Sequence, residues 1–254
     1  MRAFLCEDSL EGIFTGIYDA WASGLGHGQV RLLMKDQYVP EFFVEYEEVA
    51  PDGEKSEKVA RSIQRKISGE AFRVVCRAAF SSKEERADVI YRFLIEGFRH
   101  GGVVLRLLQN PAVAGVFALS RKVANEAHQY LEFIRFEQLK NGVLFAAISP
   151  KSRVIMLVAP HFADRFPGEN WVIYDDVREE AAIHVAGGEW ITAKIPGVQV
   201  DTFLEVYGAS DGYEDLWKTF FHTIGIKERE NPKCQRNFLP VWYRKHMTEF
   251  KDGR

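Results

Sequence analysis

Cysteine is scarce in this chain: there are three, Cys6, Cys76 and Cys234, widely spaced. No CxxC pair occurs. That excludes a zinc ribbon and an iron–sulfur cluster held by this chain alone. Sparse, odd-numbered cysteine suits a reducing compartment better than a disulfide framework. Long apolar runs are also missing, and nothing approaches the roughly eighteen consecutive apolar residues of a membrane span. The opening MRAFLCEDSLEG carries acidic residues where a secretory leader is apolar. The expected compartment is the cytoplasm, with no membrane contact. A large charge of one sign is absent too. The net charge is -3, so nucleic-acid binding would need a local basic patch. There is no P-loop, GxGxxG or GxSxG, and no HExxH. Nucleotide hydrolysis and hydride transfer therefore have no basis in the sequence, and neither a metal nor a cofactor is expected.

What is present is ordinary globular material. With 254 residues, 46% hydrophobic and 27% charged, the chain can bury a core as one large or two small domains. Residues 2–6 read as a strand. Leu10, Ile13, Phe14, Ile17, Tyr18 and Trp21 then recur at helical spacing, behind Asp8 and Ser9 as caps, and this aromatic stripe is expected to pack in a core. A strand is expected over 42–49 and helices over 56–67, 72–80 and 87–98, the last with Ser82 and Glu85 as a capping box. A long helix runs from Pro111 to Tyr130. The period then changes. Residues 133–139 and 143–148 read as strands joined at Asn141–Gly142, a hairpin signal. Residues 154–166 are helical with Pro160 inside, and 171–174, 181–185 and 190–195 are strands. Asp211 is placed to cap a further helix, and a final one covers 233–250, interrupted near Pro240. Strands in one central block between helical blocks indicate an α+β fold with central antiparallel strands. The expected division is a helical region 1–109 and an α+β region 110–254.

The polar residues worth weighing lie mostly in 125–176. His128 and His161 titrate near neutrality and are candidates for acid and base, with Glu126 or Asp175 orienting one of them. The alternative is histidines that serve only as local hydrogen-bonding groups. Arg135, Arg165 and Arg178 suit phosphate, since guanidinium offers paired donors; surface ion pairing is the competing use. Arg135 and Glu137 are expected on one face of a strand. Asp175 and Asp176 are adjacent on a strand, so they point to opposite faces and do not chelate together. Between 227 and 246 lie Lys227, Arg229, Lys233, Arg236, Arg244 and Lys245 against Glu228 and Glu230, with Phe238, Trp242 and Tyr243 interleaved. Cations with aromatics suit backbone contact and base stacking, here by Arg236, Trp242, Tyr243 and Arg244. A solvated helix face with docked aromatics is the rival. A second basic stretch holds Lys58, Arg61, Arg65, Lys66, Arg73 and Arg77.

Recognisable at EAHQYLEFIRF, the chain resembles over nearly its whole length a bacterial family of inferred DNA-metabolism proteins, often paired with a radical-SAM protein. A related domain of unknown function is fused to uracil-DNA-glycosylase-like domains. The matching pieces are FLCEDSLEGIFTGIYDAW, EAHQYLEFIRF, APHFADRF, NWVIYDDVREEAAI and LWKTFFHTIGIKERENPKCQRNFLPVWYRKHMTEF, in the family's order. Where that family commonly has a Tyr-Trp pair, this chain reads Trp242–Tyr243–Arg244. The resemblance implies a role near DNA. Glycosylase motifs and a radical-SAM cysteine triad are absent, so neither chemistry carries over, and the radical step would belong to a separate partner. Three readings follow: a DNA-associated accessory protein working with a radical-SAM partner, an enzyme acting on a base or backbone, and a protein–protein adaptor without DNA contact.

Overall fold

The computed structural model describes residues 1–209, 213–224 and 231–250. The chain divides into two compact units, 1–125 and 126–254. Both combine helices with a sheet, and the fold is α+β.

The first unit is built on β1 (Arg2–Cys6), which pairs in parallel with β2 (Val30–Met34) on one side and β3 (Glu45–Glu48) on the other. β3 is charged and mostly exposed, which blunts a sheet edge. The chain crosses from β1 to β2 through α1 (Leu10–Ala22), started by Ser9, whose hydroxyl accepts the Gly12 N–H at 2.9 Å. α2 (Gly53–Lys66) and α3 (Gly69–Ala79) start the same way, on Asp52 and Ser68. α4 (Arg86–His100) does not: its cap position is Glu85, without a side-chain cap bond, so the expected box with Ser82 is not formed. Phe4, Ile13, Phe14, Ile17, Leu32, Ile63 and Phe93 form the core, as the aromatic stripe of α1 requires. The strand expected from Phe42 starts only at Glu45, because Phe42 and Phe43 are exposed and Phe43 has a positive φ. β2 was not expected, although VRLLM alternates buried and half-buried positions as a strand should.

α5 (Pro111–Phe133) carries the chain into the second unit, which begins at Glu126. There β4 (Glu137–Gln138), β5 (Leu144–Ile148), β6 (Trp171–Asp175), β7 (Glu180–His184) and β8 (Trp190–Lys194) line up in that order. The Asn-Gly hairpin forms as expected: Leu139 N–H donates to the Val143 carbonyl, and Gly142 takes a φ of 84°. Arg135 lies before β4, not on it, so it shares no strand face with Glu137. The other neighbouring pairs are antiparallel, but β5 and β6 are parallel, joined by α6 (Ile155–Arg165) with Pro160 inside it. One sheet face buries Phe145, Ala147, Tyr174 and Ala181 against Val200 and Phe203 of α7 (Val200–Tyr207), a helix the sequence reading did not place. α8 (Tyr213–Thr223) and α9 (Pro232–Phe238) follow; beyond Pro240 the expected last helix is two 3-10 segments, Val241–His246 and Thr248–Phe250. Asp211, Lys227, Glu228, Arg229 and Glu230 lie outside the described residues.

No single helix among the described residues is long and apolar enough to cross a membrane. The tightest approach in the first unit is Gly16 of α1 to Cys6 of β1, where a Cβ would sit 2.3 Å from the Cys6 Sγ. Burial pushes the Cys6 thiol up to about 12, so this sulfur is a packing group and not a thiolate. Gly16→Ala should therefore cost about 1–3 kcal/mol of stability by overpacking. Denaturant unfolding reads this as a lower midpoint at unchanged slope.

Candidate functional site

The polar groups of the second unit gather where its parallel strands end. β5 stops at Ile148 and β6 at Asp175, paired in register. The chain leaves β5 through Ser149, Pro150, Lys151 and Ser152, whose backbone is gripped from two sides. The buried Glu126 carboxylate accepts the Lys151 N–H at 2.7 Å and the Ser152 N–H at 3.1 Å. The Arg178 guanidinium donates to the carbonyls of Pro150 at 3.1 Å and Lys151 at 2.6 Å. Arg178 is itself set by Asp175, which accepts from its Nη1 at 3.2 Å and from the backbone N–H groups of Val177 and Arg178. Asp175 is fully buried, and that burial pushes its carboxyl up against the opposing pull of Arg178.

Ser149 emerges from this bend with its hydroxyl 2.9 Å from His246 Nε2. The same nitrogen lies 3.0 Å from Asp176 Oδ2, which also accepts from Lys245. A Ser-His-Asp relay uses opposite imidazole nitrogens. Here serine and carboxylate meet the same one, so Asp176 does not stand behind the ring as an orienter. Partial burial alone would raise the Asp176 carboxyl, but hydrogen bonds from His246, Lys245 and Ser149 outweigh it and hold the group well below the usual carboxylate range. Neighbouring carboxyls are thus driven in opposite directions. Among the described residues, Asp176 Oδ1, Ser152 Oγ and the Tyr130 hydroxyl are buried without a partner. Burial first, then Tyr243 and the negative charges of Glu126, Asp175 and Asp176, push the Tyr130 phenol far up. Burial pushes Tyr243 up to about 12. Its hydroxyl donates to Gln129 at 2.6 Å, and its ring packs on Tyr130 and Phe133. At the outer side, Trp242 is 43% exposed, with the Lys151 ammonium 3.8 Å from its ring centre.

The structure distributes the expected site residues unevenly. Glu126 and Asp175 meet at the bend. His128 is exposed on α5 beside Glu132, and His161 is exposed on α6 against Phe162. The two imidazoles touch neither each other nor Glu126 or Asp175. Arg135 is held by buried Glu249 at 2.9 Å, with its guanidinium near the Trp217 ring. Arg244 donates to the Leu239 carbonyl and lies over Phe250. Arg165 and Arg236 are exposed. Ser149, Lys151, Lys245 and His246 were not singled out as site residues, and only Lys245 had a signal, its place in the basic run. Ser149 and His246 are 97 residues apart, and no local spacing announces such a pair. Among the described residues, no group of three or more His, Cys, Asp or Glu is placed to hold a metal ion.

Residues 84–249 match the model of a domain of unknown function, DUF4130. No curated protein matches the chain.

A carboxyl held below its unfolded value stabilises the fold above that unfolded value, about 4, and loses the contribution as pH falls through the folded one. The wild type should therefore lose stability below about pH 4 more steeply than Asp176→Asn. Melting temperatures between about pH 2 and pH 5 test this. Equal slopes would show that Asp176 is not held in its charged form.

Proposed function

The chain belongs to the DUF4130 family, whose description assigns no activity, and we propose that it is a nucleic-acid-associated accessory protein in DNA modification or repair, acting beside a radical-SAM partner. The link to DNA metabolism and to that partner comes from the resemblance in FLCEDSLEGIFTGIYDAW, EAHQYLEFIRF and the pieces that follow. The observation that carries a nucleic-acid surface is the Lys151–Trp242 pair, with Lys245 three residues further along the chain. An exposed indole offers a stacking face for a base, and the Lys151 ammonium over it suits a flanking phosphate, while Lys245 is ion-paired with Asp176 and helps to shape the surface. Arg165 is exposed at the end of α6 that lies away from the bend, and Arg236 is exposed on α9. Arg135, Arg178 and Arg244 are held by partners within the chain, so their part is to shape this surface. Cation and aromatic ring together favour single-stranded over duplex DNA, because stacking needs an unpaired base.

An enzyme acting on a base or backbone is the second reading. It has its own observation: Asp175 is pushed up by burial while Asp176 is held down. Neighbouring acids driven apart are how sites separate a proton donor from a standing charge. In that case His246, beside Ser149 and Asp176, takes the place first considered for His128 and His161.

Titration of fluorescent single-stranded and duplex oligonucleotides across a salt series tests both. Binding should weaken as salt rises, with a log–log slope of about -0.7 per phosphate contacted on a single strand. Trp242→Ala should weaken it by about 1–3 kcal/mol. Lys151→Ala should reduce the salt slope by about one contact. Binding that ignores salt, or that survives both changes, would contradict the surface. A product seen after incubation and lost in His246→Gln, with binding intact, would establish the second reading. No binding at low salt would transfer the weight to the adaptor reading, for which α8 presents the exposed Leu216, Trp217 and Phe220.

A further inference from the structure

A separate cleft lies wholly within the first unit. α1 and α2 pack side by side, and with Phe98 of α4 they line a cleft of about 350 Å³ that is open to solvent on one side. Its walls include Tyr18 and Trp21 from α1 and Phe98, and its rim includes Lys58, Ser62 and Lys66 from α2. Positions 58, 62 and 66 are four apart, so one ridge of α2 delivers all three to the same side. The Trp21 ring is fixed edge-on against Phe98 at 5.3 Å and Tyr91 at 5.2 Å. The lysines lie over the walls: Lys58 Nζ is 5.9 Å from the Tyr18 ring centre and Lys66 Nζ is 5.9 Å from that of Phe98. Among the described residues, no carboxylate lines the cleft. Lys58 has Glu54 at 3.8 Å, a strongly exposed partner, while Lys66 has no ion pair among the described residues. The Ser62 hydroxyl donates to the Lys58 carbonyl at 2.7 Å, which leaves its oxygen free to accept.

Aromatic walls under two ammonium groups call for a ligand that is flat and apolar at one end and anionic at the other. The cavity is at the small end of ligand pockets, the size of a base and its sugar. We propose that this cleft is a nucleotide-binding site, with the base against Tyr18, Trp21 and Phe98 and the phosphate between Lys58 and Lys66. A purely apolar ligand would leave both ammonium groups unmatched, and free phosphate would leave three rings unused. The assignment rests on the first unit alone and does not depend on the Lys151–Trp242 surface.

Calorimetric titration of the full chain with dAMP, deoxyadenosine and deoxyribose 5-phosphate tests it. dAMP should bind more tightly than either fragment. The double variant Lys58→Gln/Lys66→Gln should weaken dAMP about tenfold or more, as loss of charge-assisted contacts requires, and leave deoxyadenosine unchanged. Both lysines are exposed, so the variant should fold, and an unchanged melting temperature checks this. Trp242→Ala should leave dAMP affinity intact even where it weakens oligonucleotide binding, which keeps the two sites distinguishable. Competition with a short 5′-phosphorylated oligonucleotide identifies the source: displacement of dAMP means the end of a strand, and no displacement means a free nucleotide. No dAMP binding at millimolar concentration, dAMP no tighter than its fragments, or a double variant that binds as the wild type would each overturn the site.

Discussion

The second unit depends on one carboxylate. Glu126 sits about two turns before the end of α5, buried, and its two oxygens take the backbone N–H groups of Lys151 and Ser152. A bend at the end of a strand has backbone groups that no ladder satisfies, and each left unpaired in the interior costs about 1–3 kcal/mol. Glu126 answers the donors of this bend, and Arg178, set by Asp175, answers its acceptors. The bend is therefore fixed by charge-assisted bonds on both sides, stronger than neutral ones. The positions of Ser149 beside His246 and Lys151 over Trp242 follow from that fixation.

The same constraint explains why so many charged residues of this unit do not reach solvent as free groups. Asp175 and Arg178 are spent on each other and on the bend. Arg135 and Glu249 form a second internal pair at 2.9 Å. What remains outward is a short set of cations and one indole from the bend and the 3-10 segment Val241–His246. Charge totals over 227–246 overstate the available surface, because Arg244 turns back onto Leu239 and Phe250. The polar atoms left unmatched at Tyr130, Ser152 and Asp176 mark where the unit keeps unused hydrogen-bonding capacity.

Helices with strong local signals were legible in the sequence. α1 announced itself by its apolar spacing and by Ser9, and the Asn141–Gly142 turn announced the hairpin. The short strand β2 lay between glycines and a turn, and its alternation was too brief to stand out. α7 was lost in a stretch where sheet packing, not propensity, decides. Of the site, Glu126 and Asp175 drew attention as polar groups among apolar residues, as orienters of a histidine; at the bend Glu126 holds backbone N–H groups and Asp175 holds Arg178 instead. His128 and His161 drew attention by residue type alone, and tertiary placement put both on outer helix faces. Ser149 and His246 were invisible because their meeting depends on how β5 ends and on a 3-10 turn far along the chain. The parallel β5–β6 pair, at whose carboxyl ends the bend sits, was also hidden, since short strands read alike in either direction.

Hydrogen–deuterium exchange at the amides of Lys151 and Ser152, wild type against Glu126→Gln, tests the central claim most directly. If the carboxylate holds the bend, both amides are protected in the wild type and lose protection together in the variant, while the strand amides of β5 keep theirs. Protection at Lys151 and Ser152 that survives Glu126→Gln unchanged would contradict it.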